Sequence, residues 1–435
     1  MFLQVSDRIF QGVKVDDISL GGLTVDSAIT TLDYNVADKI KNKPVITLLY
    51  NDKTWEITAE DIDLKIDVIQ TAHNSYNIGR TGSPMAKRML DRITALYSEF
   101  SIPYVMTINE DKLNKKLLDI TNSINKPPVD ASLTVKDNNI IVNQEQTGEK
   151  IDLENLKSLI NLKTLSLSLP QNLLLKVEIQ KPKINVSDLK DINTILATYS
   201  TKFNLNAENR NTNIKLAAHS LNNIILAPNE IASFDKLVGP RIAAVGYKEA
   251  PAFINGKLVP DIGGGVCQVT STLYNATLLA NLEIVERLSH FRPPSYVPIG
   301  LDATVANGLI DFKFKNNKTH AIYISTQINN DTLTVYLLGN NQDLPSETIN
   351  ITSEIDEILE PSTSITQDPN LPLGTEIIDF PGAQGYKVSA YKIISNNGIV
   401  INKTLLHTDV FDPEDKTIRL GTQPIPPPVA ISQPK

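Results

Sequence analysis

The chain's single cysteine, Cys267, closes the segment Gly263-Gly264-Gly265-Val266-Cys267 and is followed by Gln268. A thiol becomes a good nucleophile when its pKa falls, and the positive end of a helix or a neighbouring imidazolium lowers it. Val269, Leu273, Ala276 and Ala280 recur at helical spacing after the glycines, which puts Cys267 in or just before a first helical turn. Gly264 and Gly265 would let the backbone approach a substrate and aim N–H groups, with Gln268, at a developing oxyanion. A lone cysteine is otherwise a packed apolar side chain; the glycine-rich helix start favours the nucleophile. No Gly-Lys-Ser/Thr follows the glycines, so a phosphate loop is excluded.

A cysteine nucleophile needs a base. Of the five histidines, His290 follows Cys267 most closely, in the Pro-stiffened loop Glu286-Arg287-Leu288-Ser289-His290-Phe291-Arg292-Pro293-Pro294. Asp302 is the nearest carboxylate able to orient its ring, although a capping role would suit it equally. Arg287 and Arg292 have the fork geometry that grips a carboxylate-bearing peptide, or they are solvated charges. Tyr296 could donate a hydrogen bond to substrate. No two histidines or the cysteine stand at metal-ligand spacing, so neither a metal nor a cofactor is expected.

These residues need a scaffold. At 435 residues the chain exceeds one ordinary core, and a length of about 150 residues per domain predicts about three. The alternation of helix and strand patterns predicts an α+β, multidomain chain. Two small α+β N-terminal units run over 10–100 and 101–184, and a central α+β domain over 185–345 carries the cysteine at a helix N-terminus. A small all-β C-terminal module covers 355–422, and a Pro-rich, disordered tail covers 423–435. In the first unit Thr24 reads as an N-cap, and Val45 to Tyr50 pairs with Trp55 to Ile57 around Asn51-Asp52. In the second, Leu113, Leu117, Ile120 and Ile124 make one apolar helix face.

Charge narrows the partners. With 41 basic and 49 acidic residues, net −8, and no dense basic cluster, nucleic acid is excluded. A single cysteine forbids an internal disulfide. No apolar run approaches the roughly 20 residues of a membrane helix, and Met1-Phe2-Leu3-Gln4 lacks a signal core. Membrane attachment would come only through an N-terminal anchor absent from this chain.

The ordered string Gly264-Gly265-Val266-Cys267-Gln268-Val269-Thr270-Ser271-Thr272-Leu273-Tyr274-Asn275-Ala276, then Glu286-Arg287, His290, Tyr296-Val297-Pro298 and Gly300-Leu301-Asp302-Ala303-Thr304-Val305, resembles the VanW domain family. The likeness extends upstream through Asn209-Arg210-Asn211-Thr212-Asn213-Ile214 and Val238-Gly239-Pro240-Arg241. Ile124 to Leu153 resembles the peptidoglycan-binding domain that often precedes VanW, and residues 357 to 421 are similar to a G-five domain. The resemblance implies an extracellular protein of a bacterial cell wall or surface whose partners are peptidoglycan stem peptides and glycan. It further implies an L,D-transpeptidase-like cysteine acyltransferase, in which Cys267 forms a thioester with the third residue of a stem, His290 moves protons and a neighbouring amine resolves the intermediate. The alternative is a non-catalytic wall-binding scaffold. The family commonly has histidine where Leu288 stands, serine where Phe291 stands and Pro-Gly-Glu where Pro228-Asn229-Glu230 stands, which leaves His290 as the base.

Overall fold

The computed structural model describes residues 7–40, 43–81, 84–161, 165, 170–254 and 257–424. The expected Pro-rich tail falls, from residue 425 onward, outside the described residues, as do Met1-Phe2-Leu3-Gln4. The chain forms two compact units. One comprises residues 1–130 and 145–183, the other residues 131–144 and 184–435.

The first unit has a single hydrophobic core running from Ile9 to Leu175. The strand Pro44–Tyr50 turns back on Lys53–Thr58 through Asn51, whose φ of 49° suits asparagine. On its other edge Pro44–Tyr50 pairs in parallel with Gln171–Leu174, Leu48 opposite Leu173. Val13–Val15 likewise pairs in parallel with Phe100–Ile102. These long-range pairings join the two N-terminal units read from the sequence into one. The helix Glu110–Ile124 buries Leu113, Leu117, Ile120 and Ile124 as its spacing requires and is capped by Asn109, which accepts from Lys112 N. Thr24 caps the helix Val25–Ile40 by accepting from Ser27 N at 3.2 Å.

The second unit is built on a four-stranded antiparallel sheet in the order Thr194–Lys202, Thr332–Gly339, Ile322–Asn329, Ile224–Leu226. Against it lies the cysteine helix, Val266–Leu279, in which every residue from Gln268 to Leu278 is buried. So complete a burial is tolerated because the helix's hydroxyls bond to its own turns: Thr272 donates to Gln268 O at 2.6 Å and Thr277 to Tyr274 O at 2.6 Å. The helix Glu208–Leu221 and the hairpin Glu249–Ile254 with Lys257–Ile262 flank the glycine turn. The hairpin Ser132–Lys136 with Asn139–Asn143, which follows the Pro127-Pro128 break, packs in this unit: Leu133 N donates to Tyr323 Oη at 2.9 Å.

The all-β module begins earlier than its glycines suggest, at Thr348. Thr348–Leu359, Gly385–Asn396 and Ile399–Phe411 form one antiparallel sheet, and Thr363–Pro372, Lys416–Gln423 and Glu376–Phe380 form another.

Leu48 is fully buried opposite Trp55, the sole tryptophan. Leu48→Ala is expected to cost about 2–5 kcal/mol, and the Trp55 fluorescence transition in denaturant should move to lower concentration accordingly.

Candidate active site

The glycine run is shaped by what surrounds it. Gly265 occupies the N-cap of the cysteine helix at φ 107°, a left-handed conformation open to glycine at little cost. A side chain at Gly264 would meet Ala250 O at 2.5 Å. Asn213, wholly buried, fixes this turn by donating from Nδ2 to Gly264 O at 2.9 Å and to Lys248 O at 2.9 Å. Cys267 therefore sits at the second position of the helix, half-buried. It lines a cavity of about 730 Å³ together with His290, Tyr296, Arg210, Arg241, Thr304 and others.

The thiol donates to Val305 O at 3.5 Å and lies 3.6 Å from Thr304 Oγ1. Burial disfavours its ionisation, but the adjacent His290 outweighs it, by hydrogen bond and by charge, and brings the pKa down to about 7. Burial also opposes protonation of His290. The hydrogen bond to Asp302 and the interaction with Cys267 prevail there and raise its pKa to about 9. A thiolate beside an imidazolium is the state these directions favour near neutral pH.

Asp302 is completely buried and holds His290 at two points, one on the ring and one on the backbone. Its Oδ2 accepts from His290 Nδ1 at 2.6 Å and from the His290 backbone N–H at 2.7 Å. With Nδ1 so engaged, Nε2 is the free face of the ring. It lies 3.4 Å from the Tyr296 hydroxyl, which burial holds well above the ordinary tyrosine pKa and hence protonated.

Three sequence-derived assignments find different positions. Arg287 lies outside the cavity lining: its Nη1 donates to Asp409 Oδ1 at 2.6 Å and its Nε to Asp302 O at 2.7 Å. Arg292 pairs with Glu414. Both arginines are thus committed to carboxylates, two of which come from the β module about 120 residues downstream, a distance over which sequence spacing carries no signal. Gln268 is among the residues lining the cavity, but its buried side chain donates to Thr201 Oγ1 at 3.0 Å and Lys202 O at 2.8 Å and so ties the helix to the sheet. Leu288 and Phe291 are exposed and absent from the cavity lining.

Other residues at the site went unremarked in the sequence. Arg210 and Arg241 stand on the cavity wall, and Asn213 clamps its floor turn; all three lie within the strings that carried the family likeness. His407 accepts from or donates to Tyr274 Oη at 2.8 Å.

Residues 209–338 match the family described as VanW like protein. The central part of the chain is similar to VanW-like proteins. Residues 55–169 match a "Putative peptidoglycan binding domain" and residues 350–423 a G5 domain. The first of these spans the boundary at 101 between the two N-terminal units, both read from the sequence as peptidoglycan-binding-like. The chain is 45% identical over 144 residues to the "Uncharacterized protein YoaR" of Bacillus subtilis (strain 168), covering 33% of this chain and 48% of that protein. It is 37% identical over 125 residues to the "Vancomycin B-type resistance protein VanW" of Enterococcus faecalis (strain ATCC 700802 / V583), covering 27% and 46%. The chain spans about half the length of these curated relatives. Among solved structures, that of HP0197-G5 aligns with 27% identity and a TM-score of 0.14 over 18% of this chain and 100% of its own. The IgA1 protease G5 domain aligns with 21% identity and a TM-score of 0.15 over 18% and 95%. The VanW-like match is thus accompanied in one chain by a match to a "Putative peptidoglycan binding domain" and one to a G5 domain. Among the described residues no helix is long and apolar enough to cross a membrane.

Two measurements test the electrostatics of this VanW-like site. Because the thiolate predominates above its pKa, alkylation of Cys267 by iodoacetamide should rise through a midpoint near pH 7, below the ordinary thiol value of 9.0. His290→Ala should return the midpoint upward; an unshifted wild-type profile would contradict the pairing. Asp409→Ala strips a carboxylate from the nearly buried Arg287, and equilibrium unfolding should register a loss of about 3–5 kcal/mol.

Proposed function

We propose that the protein is a cell-wall cysteine acyltransferase acting on peptidoglycan stem peptides, L,D-transpeptidase-like, at the bacterial cell surface. The observation that carries this reading is the Cys267, His290 and Asp302 arrangement facing an open cavity: a thiol with a lowered pKa at a helix start, beside an imidazole whose far nitrogen is anchored. The "Putative peptidoglycan binding domain" and G5 matches support a cell-wall polymer as the substrate class.

In this reading the Cys267 thiolate attacks the carbonyl carbon of the third stem residue, and the carbonyl electrons move onto oxygen. The Cys267 backbone N–H has no carbonyl partner among the described backbone bonds, and at the second helical position it is suited to receive that oxyanion. Collapse of the intermediate breaks the amide C–N bond. The departing D-Ala amine takes a proton from the His290 imidazolium, leaving a thioester and a neutral imidazole. A side-chain amine of a second stem then attacks the thioester carbon and gives its proton to His290, and the thiolate leaves. Asp302 keeps the imidazole in one tautomer throughout. If water replaced the amine, the same steps would give hydrolysis.

Disaccharide-tetrapeptides incubated with wild type and with Cys267→Ala, read by mass spectrometry, test the proposal. Wild type alone should release D-Ala and yield a crosslinked dimer, and His290→Ala should slow this by about 10²–10⁴-fold. Release of D-Ala without a dimer would identify a hydrolase. No change with any variant would leave wall binding as the function.

A further inference from the structure

The cavity that holds Cys267 and His290 is also lined by two arginines, Arg210 and Arg241. The chemistry derived so far leaves both without a task. Arg241 is 7% exposed; its Nη1 donates to Asp235 Oδ1 at 2.7 Å, while its Nη2 is buried and has no hydrogen-bond partner among the described residues. A guanidinium N–H left unpaired in a protein interior is costly, and an arriving anion removes that cost. Arg210 is half-buried and stands about 6 Å over the Tyr296 ring. Burial lowers its pKa, and the groups that counter this are Tyr296 and Cys267, not a carboxylate.

The glycine run brings both side chains against the nucleophile's turn. A Cβ on Gly265 would stand 2.8 Å from Arg210 Cγ, and one on Gly263 would stand 3.5 Å from Arg241 Cβ. The absent side chain at Gly265 is therefore what lets the Arg210 stem pack beside the loop that delivers Cys267, while Arg241 lies in ordinary contact distance of Gly263. Asp261 also lines the cavity, but it is exposed and solvent screens it.

We propose that Arg210 and Arg241 form a subsite for the terminal carboxylate of the donor peptide. The identity of the ligand rests on the acyl-transfer reading above. In a stem ending in D-Ala, that carboxylate is separated from the scissile nitrogen by a single carbon, so any group that recognises it must abut the nucleophile. Arginine's planar fork suits a carboxylate, and both arginines line the cavity that holds the nucleophile. Selection of a chain terminus over an internal peptide bond follows, since an internal amide offers no anion to the pair.

The probe is Nα,Nε-diacetyl-L-lysyl-D-alanine, compared with its C-terminal amide, titrated calorimetrically into Cys267→Ser to prevent turnover. The acid should bind about tenfold or more tightly than the amide, the scale of one charge-assisted hydrogen bond. In the same background Arg241→Gln and Arg210→Gln should each bring the ratio toward one. Arg210, the less buried of the two, provides the readout if Arg241→Gln fails to fold. Equal affinity for acid and amide, or no binding of the acid, would overturn the subsite. If Arg210 served only to hold the thiolate, Arg210→Gln in the chain that retains Cys267 would raise the alkylation midpoint, and the acid-to-amide ratio measured in the Cys267→Ser background would be untouched. Acylation of wild type followed by mass spectrometry separates the two readings: preferred binding of the acid without a thioester sinks the acyl transfer alone, whereas equal acylation by acid and amide sinks the subsite alone.

Discussion

A carboxylate sealed from water must be neutralised by what touches it, and Asp302 is such a group. Its side chain meets the His290 imidazole on one oxygen and Arg287 on the other, at 3.4 Å, while Arg287 turns its remaining donor to Asp409. Acid, base and acid thus alternate from the cavity into the β module. Tyr274, buried under Arg287, extends the same seam to His407. The imidazole that faces the thiol is positioned by this buried charge chain, and the cavity's electrostatics are set by residues remote from it in sequence.

The second constraint is spatial. Three glycines precede Cys267, and they answer to different neighbours: a carbonyl of the adjoining hairpin excludes any side chain at Gly264, and the stem of Arg210 crowds Gly265. Asn213 then bonds the turn in place. The half-buried thiol is a product of this crowding, since a bulkier turn would push the helix start away from the cavity.

Local features were legible in the sequence because their causes are local. The helix start at Cys267 follows from glycine conformation and apolar spacing, the strand pair around Asn51 from turn chemistry, and the apolar face of Glu110–Ile124 from its period. His290 with Asp302 was readable because a short Pro-rich loop joins them. What stayed hidden depends on long-range pairing. Nothing near Arg287 or Arg292 indicates that Asp409 and Glu414 will meet them, so both looked free to bind substrate. Gln268 looked poised at a helix start, yet the helix's burial turns its amide to the strand Thr194–Lys202. Gln171–Leu174 pairs with a strand far upstream, which made one N-terminal unit look like two. Arg210 and Arg241 had a visible signal, charged residues within motif strings otherwise rich in small and amide side chains, but only the fold brings them to the glycine turn.

The hairpin 131–144 belongs to the second compact unit while the residues on either side of it belong to the first. Its Leu133 and Val135 share a small core with Tyr323 and Leu338 of the central sheet, and Leu133 satisfies the Tyr323 hydroxyl. The unit that holds Cys267 is consequently discontinuous along the polypeptide. A fragment begun at residue 185 would leave that aromatic ring uncovered, so recombination that transplants this domain intact has to carry the upstream ribbon with it.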